Sequence, residues 1–97
     1  MRVCILGSTG SIGTSTLDVL SRHTDRFEVF ALTAHHRVDE LLAQCLAWQP
    51  KFAVLPEPAQ AQALQARLRE AGSTTAVLAG AQALCEMASH PDVDAVM

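Results

Sequence analysis

The sequence predicts an α/β fold built on a doubly wound parallel sheet, and two observations carry that prediction. Short β-branched runs alternate with longer segments of helical period along the whole chain. Strict strand–helix alternation gives right-handed crossovers between parallel strands, with helices on both faces of the sheet. The second observation is that the first apolar run ends abruptly in a glycine loop, "GSTGSIG" at residues 7–13. In such sheets, the loops beyond the carboxyl ends of the strands are where ligands bind.

Each element follows in order. "RVCIL", residues 2–6, is a buried strand. A helix follows over residues 11–22, with Ile12, Thr16, Val19 and Leu20 on one side. "FEVFALT", residues 27–33, is the second strand. "VDELLAQCLAW" then carries Val38, Leu41, Leu42, Cys45 and Leu46 at i, i+3, i+4, i+7 and i+8, the clearest helical stripe of the chain. Asp39 is placed to cap its start. "KFAVL", residues 51–55, is the third strand. Pro56 and Pro58 open an Ala/Gln-rich helix that stops at Gly72, as the proline-first, glycine-last asymmetry predicts. A solvated helix face accounts for its glutamines. "TTAVL", residues 74–78, is a fourth strand, residues 81–89 form a helix broken by Pro91, and "VDAVM" begins a fifth strand. Met97 falls inside that last strand. The expectation is therefore one N-terminal domain over residues 1–97, its sheet truncated in the fifth strand and continued by further chain.

The totals exclude several function classes. The chain has 97 residues, 49% of them apolar, enough for a globular core and inconsistent with disorder. Its net charge of −3, with scattered signs, gives no electrostatic footprint for nucleic acid or an anionic membrane. No apolar run approaches the roughly 20 residues that span a bilayer. The N-terminus lacks the features of a secretory signal, and a strand starting at Arg2 leaves no room for a transit peptide. Cys4, Cys45 and Cys85 lie far apart inside apolar segments without ligand spacing. They read as small buried hydrophobes in a reducing compartment, which points to the cytoplasm.

The glycine loop follows a strand and opens a helix, the context that gives a glycine fingerprint its meaning. Its spacing is G-x-x-G-x-x-G. Gly7 permits the turn, Gly10 allows close backbone approach by a pyrophosphate, and Gly13 lets helix and strand pack closely. Thr9 and Ser11 can add hydroxyl donors, and Ile12 packs under a cofactor or into the core. Backbone N–H groups at the helix start favour an anion there. The fold is thus Rossmann-like.

The end of the second strand bears on the nucleotide. An NAD site places Asp or Glu about 20 residues after the glycines to hold the ribose 2′-hydroxyl. Here the strand ends in Thr33 and Ala34, followed by His35, His36 and Arg37. A carboxylate would repel a 2′-phosphate, whereas Arg37 can bind one bidentately, with help from Thr33 or the loop backbone. This favours NADP. The paired histidines lack a third ligand nearby for a metal. His36 reads as a stacking or hydrogen-bonding group near the adenosine and His35 as a loop residue. His23 and His90 read as surface positions at helix ends. No catalytic dyad, triad or carboxylate pair can be assembled, so the loop binds and nothing reacts.

These residues carry a family resemblance. "ILGSTGSIGTSTLDVL", "FALTA", "VDELLAQCLAWQPKFAVL" and "DVDAVM" resemble the N-terminal part of the 1-deoxy-D-xylulose 5-phosphate reductoisomerase family over essentially the whole chain. The resemblance implies an NADPH-dependent enzyme of the non-mevalonate isoprenoid pathway. Such an enzyme rearranges and reduces a phosphosugar to 2-C-methyl-D-erythritol 4-phosphate with magnesium or manganese. It implies phosphate-loop contacts at Thr9, Gly10, Ser11 and Ile12, and a 2′-phosphate and adenosine loop at His35, His36 and Arg37. The family commonly has a glycine, then a lysine or other polar residue there, so "HHR" departs from the pattern while Arg37 keeps the positive charge. The metal ligands, substrate site, lid and homodimer contacts would lie further along, leaving these residues inert alone. Two other readings use the same loop. One is a semialdehyde dehydrogenase or acyl-phosphate reductase, which would need a downstream nucleophilic cysteine. The other is a non-catalytic NADP-sensing module, which would need a partner surface.

Overall fold

The computed structural model describes residues 1–97. Its elements are β1 (Arg2–Ile5), α1 (Ser11–Leu20), β2 (Glu28–Thr33), α2 (Val38–Trp48), β3 (Phe52–Leu55), α3 (Pro58–Glu70), β4 (Ala76–Ala79), α4 (Ala81–Ala88) and β5 (Ala95–Val96). The strands form one sheet in the order β4-β3-β2-β1-β5, and every pairing is parallel. The expected doubly wound α/β architecture is therefore present. No helix is long and apolar enough to cross a membrane.

Strand order decides which face each helix covers. From β1 to β4 the chain steps sideways in one direction, so right-handed crossovers put α1, α2 and α3 on the same face. The step to β5 runs the other way and puts α4 on the opposite face. The packing agrees. Val3, Ile5, Ala53 and Leu55 meet Leu17, Leu41 and Leu64 in a cluster of 14 buried residues. Their alternates Cys4 and Val54 meet Ala83 and Met87 of α4 in a cluster of 6. The sheet is thus covered on both faces, thickly on one and thinly on the other.

Several local expectations are corrected. On α1 the buried residues are Gly13, Leu17 and Leu20, whereas Ile12 is 82% exposed and Val19 51%. Leu20 is buried as its place in the stripe suggests, but Leu17 shares its buried face while Ile12 and Val19 do not. Asp39 does not cap α2; Arg37 occupies that position without a side-chain cap, and Asp39 pairs instead with Arg67 of α3. Cys85 is exposed rather than buried, because α4 turns Ala83 and Met87 inward. His90 is not a free surface residue: its ring centroid lies 4.9 Å from that of Phe30, and its Nδ1 accepts the Asp92 N–H at 3.0 Å.

The fourth strand starts at Ala76 rather than Thr74, since Thr75 is held by side-chain bonds. Its hydroxyl donates to the Pro50 carbonyl at 2.6 Å. One glutamine of α3 has a role that the solvated-face reading missed. Gln65 donates to the Thr75 carbonyl at 2.9 Å and accepts the Val77 N–H at 2.8 Å. Its amide pairs with β4 as a neighbouring strand would. An otherwise open sheet edge is blunted in this way.

Candidate functional site

The glycine loop joins the carboxyl end of β1 to α1. Beside β1 lies β5, reached from the far end of the sheet, so the loop opens where the winding direction reverses. That is the ligand-binding crevice of an open α/β sheet. Gly7 has φ +63°, a conformation that side chains with a Cβ adopt at a cost. A Cβ on Gly13 would lie 2.3 Å from the Gly7 oxygen and 2.6 Å from the Ser8 Cα, so only glycine lets the helix sit against the turn. Gly10 differs: a Cβ there would meet only the Gly7 oxygen, at an ordinary 3.4 Å. The fold does not require that glycine.

Thr33 of β2 props the loop. Its Oγ1 accepts the Gly7 N–H at 3.0 Å and donates to the Ile5 carbonyl at 3.4 Å, while its carbonyl accepts the Ser8 N–H at 2.8 Å. Thr33 is 4% exposed, so its hydroxyl supports the loop and is not free for a nucleotide. The first backbone bond of α1 runs from the Thr14 N–H to the Gly10 carbonyl at 2.9 Å, and no side chain caps the helix. The N–H groups of Ser11, Ile12 and Gly13 are therefore unused, and the helix dipole makes that end attractive to anions.

The loop after β2 closes the site. Gly7, Thr9, Gly10, His35, His36 and Arg37 together line one cleft of about 220 Å³. Six of the nine sequence-derived positions thus come together. Ser11 and Ile12 open instead onto a neighbouring groove along α1, with Ser15, Thr16 and Val19. Gly13 is buried beneath the turn. Arg37 has one carboxylate nearby, with Nη1 3.4 Å from Glu40 Oε2, and it remains half exposed. A second, more apolar cleft of about 250 Å³ adjoins the first, walled by Leu6, Ala34, Val54, Pro56 and Leu84. A larger hollow of about 530 Å³ lies at the amino ends of the strands, between Met1, Phe27 and Trp48, away from both loops.

A cleft lined by a glycine loop and an arginine, beside an uncapped helix start, suits a phosphorylated ligand. The family model for 1-deoxy-D-xylulose 5-phosphate reductoisomerase matches residues 3–97. This chain belongs to that family.

Among its relatives, the 1-deoxy-D-xylulose 5-phosphate reductoisomerase of Pseudomonas fluorescens is 59% identical over 96 residues, and that of Aromatoleum aromaticum is 60% identical. Each alignment covers 99% of this chain and 24% of the relative, so the chain spans about a quarter of the length of the proteins it matches. A crystal structure of DOX-P reductoisomerase with NADPH, fosmidomycin and magnesium superposes with a TM-score of 0.94 at 38% identity, covering 99% of this chain and 23% of that one. The Zymomonas mobilis enzyme in complex with NADPH gives a TM-score of 0.84 at 43% identity, over 92% of this chain and 23% of that one.

Sequence reasoning missed two residues of the site, Ser8 and Gln44. Gln44 donates from Nε2 to the Ser8 carbonyl at 2.8 Å. Nothing in the spacing of Gln44 marks it, since it reads as one more polar position beside the α2 stripe. No three His, Cys, Asp or Glu side chains gather as a metal centre. The two buried thiols are inert by environment: burial raises Cys4 and pushes Cys45 up to about 12 from 9.0.

Proposed function

We propose that residues 1–97 form the NADPH-binding portion of an enzyme converting 1-deoxy-D-xylulose 5-phosphate to 2-C-methyl-D-erythritol 4-phosphate in non-mevalonate isoprenoid biosynthesis. One observation carries this: in a member of this family, the glycine loop and the Arg37 guanidinium line one crevice, beside the uncapped start of α1. The residues present fit a dinucleotide phosphate. Gly10 has no Cβ although the fold leaves room for one, which is what a closely approaching phosphate requires. Ser11, Ile12 and Gly13 donate backbone N–H groups to the pyrophosphate, and Thr9 and Gly10 form its floor. Arg37 takes the 2′-phosphate, with His35 and His36 flanking it, and the adjoining apolar cleft receives the adenine.

When bound, the nicotinamide supplies a hydride. This portion binds and orients, and it brings no acid, base or nucleophile to the reaction. Its side chains do not fit a divalent metal. We place the magnesium or manganese ligands, the substrate site and the homodimer contacts in the remainder of the family's length, so this portion is inert alone. Free cysteines suit a reducing compartment, and we place the enzyme in the cytoplasm.

The test pairs a binding titration with an activity assay. NADPH should bind far more tightly than NADH, and the protein with its family's remaining domains should oxidise NADPH only when the phosphosugar and metal are present. A preference for NADH, or no turnover of that substrate, would overturn the proposal.

A further inference from the structure

Helix α2 grips the glycine loop at two successive carbonyls. Arg37, at its start, reaches the Thr9 oxygen at 3.4 Å. Gln44, about two turns on, reaches the Ser8 oxygen at 2.8 Å, the shorter contact by far. The other donor to that oxygen is Thr14 Oγ1, at 3.5 Å. Ser8 is 0% exposed, and its own N–H is held by β2. The residue is therefore clamped between a strand on one side and a glutamine on the other.

That clamp has a consequence for the next N–H. A peptide unit is planar and trans, so its C=O and N–H point in opposite directions. Fixing the Ser8 carbonyl toward α2 turns the Thr9 N–H away from α2. No internal acceptor takes up that Thr9 N–H. Gln44 also leaves Oε1 buried and unpartnered, as is Ser8 Oγ. A part-buried amide with a buried, unpartnered oxygen is a costly way to fill a helix face beside Leu41 and Cys45, where an apolar residue would cost less.

We propose that Gln44 is a positioning residue for the nucleotide: by holding the Ser8 carbonyl it aims the Thr9 N–H at the pyrophosphate. The inference rests on the nucleotide reading above. Two variants separate aim from packing. Gln44→Ala removes both polar atoms and the volume, whereas Gln44→Met keeps the volume and removes only the polar atoms.

Affinity is measured in the full chain, well below the melting temperature, for three probes: NADPH, ADP-ribose and 2′-AMP. ADP-ribose has the pyrophosphate without the 2′-phosphate, and 2′-AMP has the reverse. Both variants should weaken NADPH and ADP-ribose by about tenfold, the scale of one hydrogen bond lost. Binding of 2′-AMP should not change, and Gln44→Met should melt close to the parent. Recovery of ADP-ribose affinity in Gln44→Met would mean that Gln44 only packs, overturning the inference. Equal losses for all three probes would do the same, by showing that α2 as a whole is disturbed. A parent protein that binds 2′-AMP and NADPH while both variants keep full ADP-ribose affinity overturns the role of Gln44 alone. A parent that binds none of the probes overturns the nucleotide reading and this inference with it.

Discussion

Arg37 donates from Nη1 to the carbonyl oxygen of Thr9 at 3.4 Å, joining the loop after β2 to the loop after β1. The same Nη1 lies 3.4 Å from the Glu40 carboxylate. Both contacts are long for a charged donor, so the guanidinium is held near the crevice without being saturated. A 2′-phosphate would complete it. Arg37→Ala should therefore cost NADPH about 1.5–3 kcal/mol of binding, roughly tenfold to a hundredfold, while NADH changes little. Paired titrations on the parent and the variant check this. Equal losses for both cofactors would mean that Arg37 holds the loop instead of reading the phosphate.

Gly10 and Gly13 of the loop should respond differently to substitution. Gly10 has room for a Cβ within the fold, so Gly10→Ala should melt close to the parent yet lose nucleotide affinity. Gly13 has none, with the Gly7 oxygen 2.3 Å from the site of a Cβ. Gly13→Ala should lower stability by about 1–3 kcal/mol, the usual cost of overpacking. Thermal melts and a titration on each variant separate the two roles. A destabilised Gly10→Ala with normal affinity would sink the assignment of that residue to the ligand.

The cysteines should divide into one reactive and two silent thiols. Cys85 is exposed, whereas Cys4 and Cys45 are fully buried. Alkylation of the native protein should label Cys85 first and the other two only on unfolding. Mass spectrometry after partial labelling gives the order. Early labelling of Cys45 would contradict its burial in the core.

Alkaline pH should also weaken the fold. Burial raises Cys45 to about 12 from 9.0 and raises Cys4 as well. Above 9.0 the unfolded chain loses these thiol protons while the folded chain keeps them. The unfolded state then binds fewer protons, so stability falls as pH rises. The contribution is complete below 9.0 and is lost progressively toward 12. Cys45→Ala should show a shallower decline of melting temperature with alkaline pH, though from a lower start. An identical slope would show that other groups dominate.

Gln65 offers a test of the sheet edge. Removing its amide leaves the Val77 N–H and the Thr75 carbonyl without their partners. Gln65→Ala should cost about 1–3 kcal/mol, depending on how well water replaces them. Urea unfolding measures the loss. Light scattering on the same samples reports whether the exposed edge of β4 now recruits other chains.

Much of this protein is written in short-range sequence. Alternation of β-branched runs with helical stripes is a local property, and it suffices for a parallel α/β sheet because parallel strands need crossovers. The glycine spacing is equally local: a turn with φ +63° at Gly7 and a tight helix start at Gly13 are demands on a few consecutive residues. The loop at His35, His36 and Arg37 is legible for the same reason, lying directly after a recognisable strand.

What only the tertiary structure decided depends on which strands are neighbours. The buried side of α1 is set by its place over β1 and β2, so Leu17 and Leu20 turn inward and Ile12 outward. Cys85 and His90 take their exposure from α4 lying alone on the second face, where His90 closes over Phe30. Gln44 and Gln65 look interchangeable with other polar helix positions until the sheet order brings one to the Ser8 carbonyl and the other to the edge of β4. Their partners lie 36 and 10 residues away along the chain. A hydrogen bond over such a separation leaves no periodic trace, because only the folded strand order brings donor and acceptor within reach.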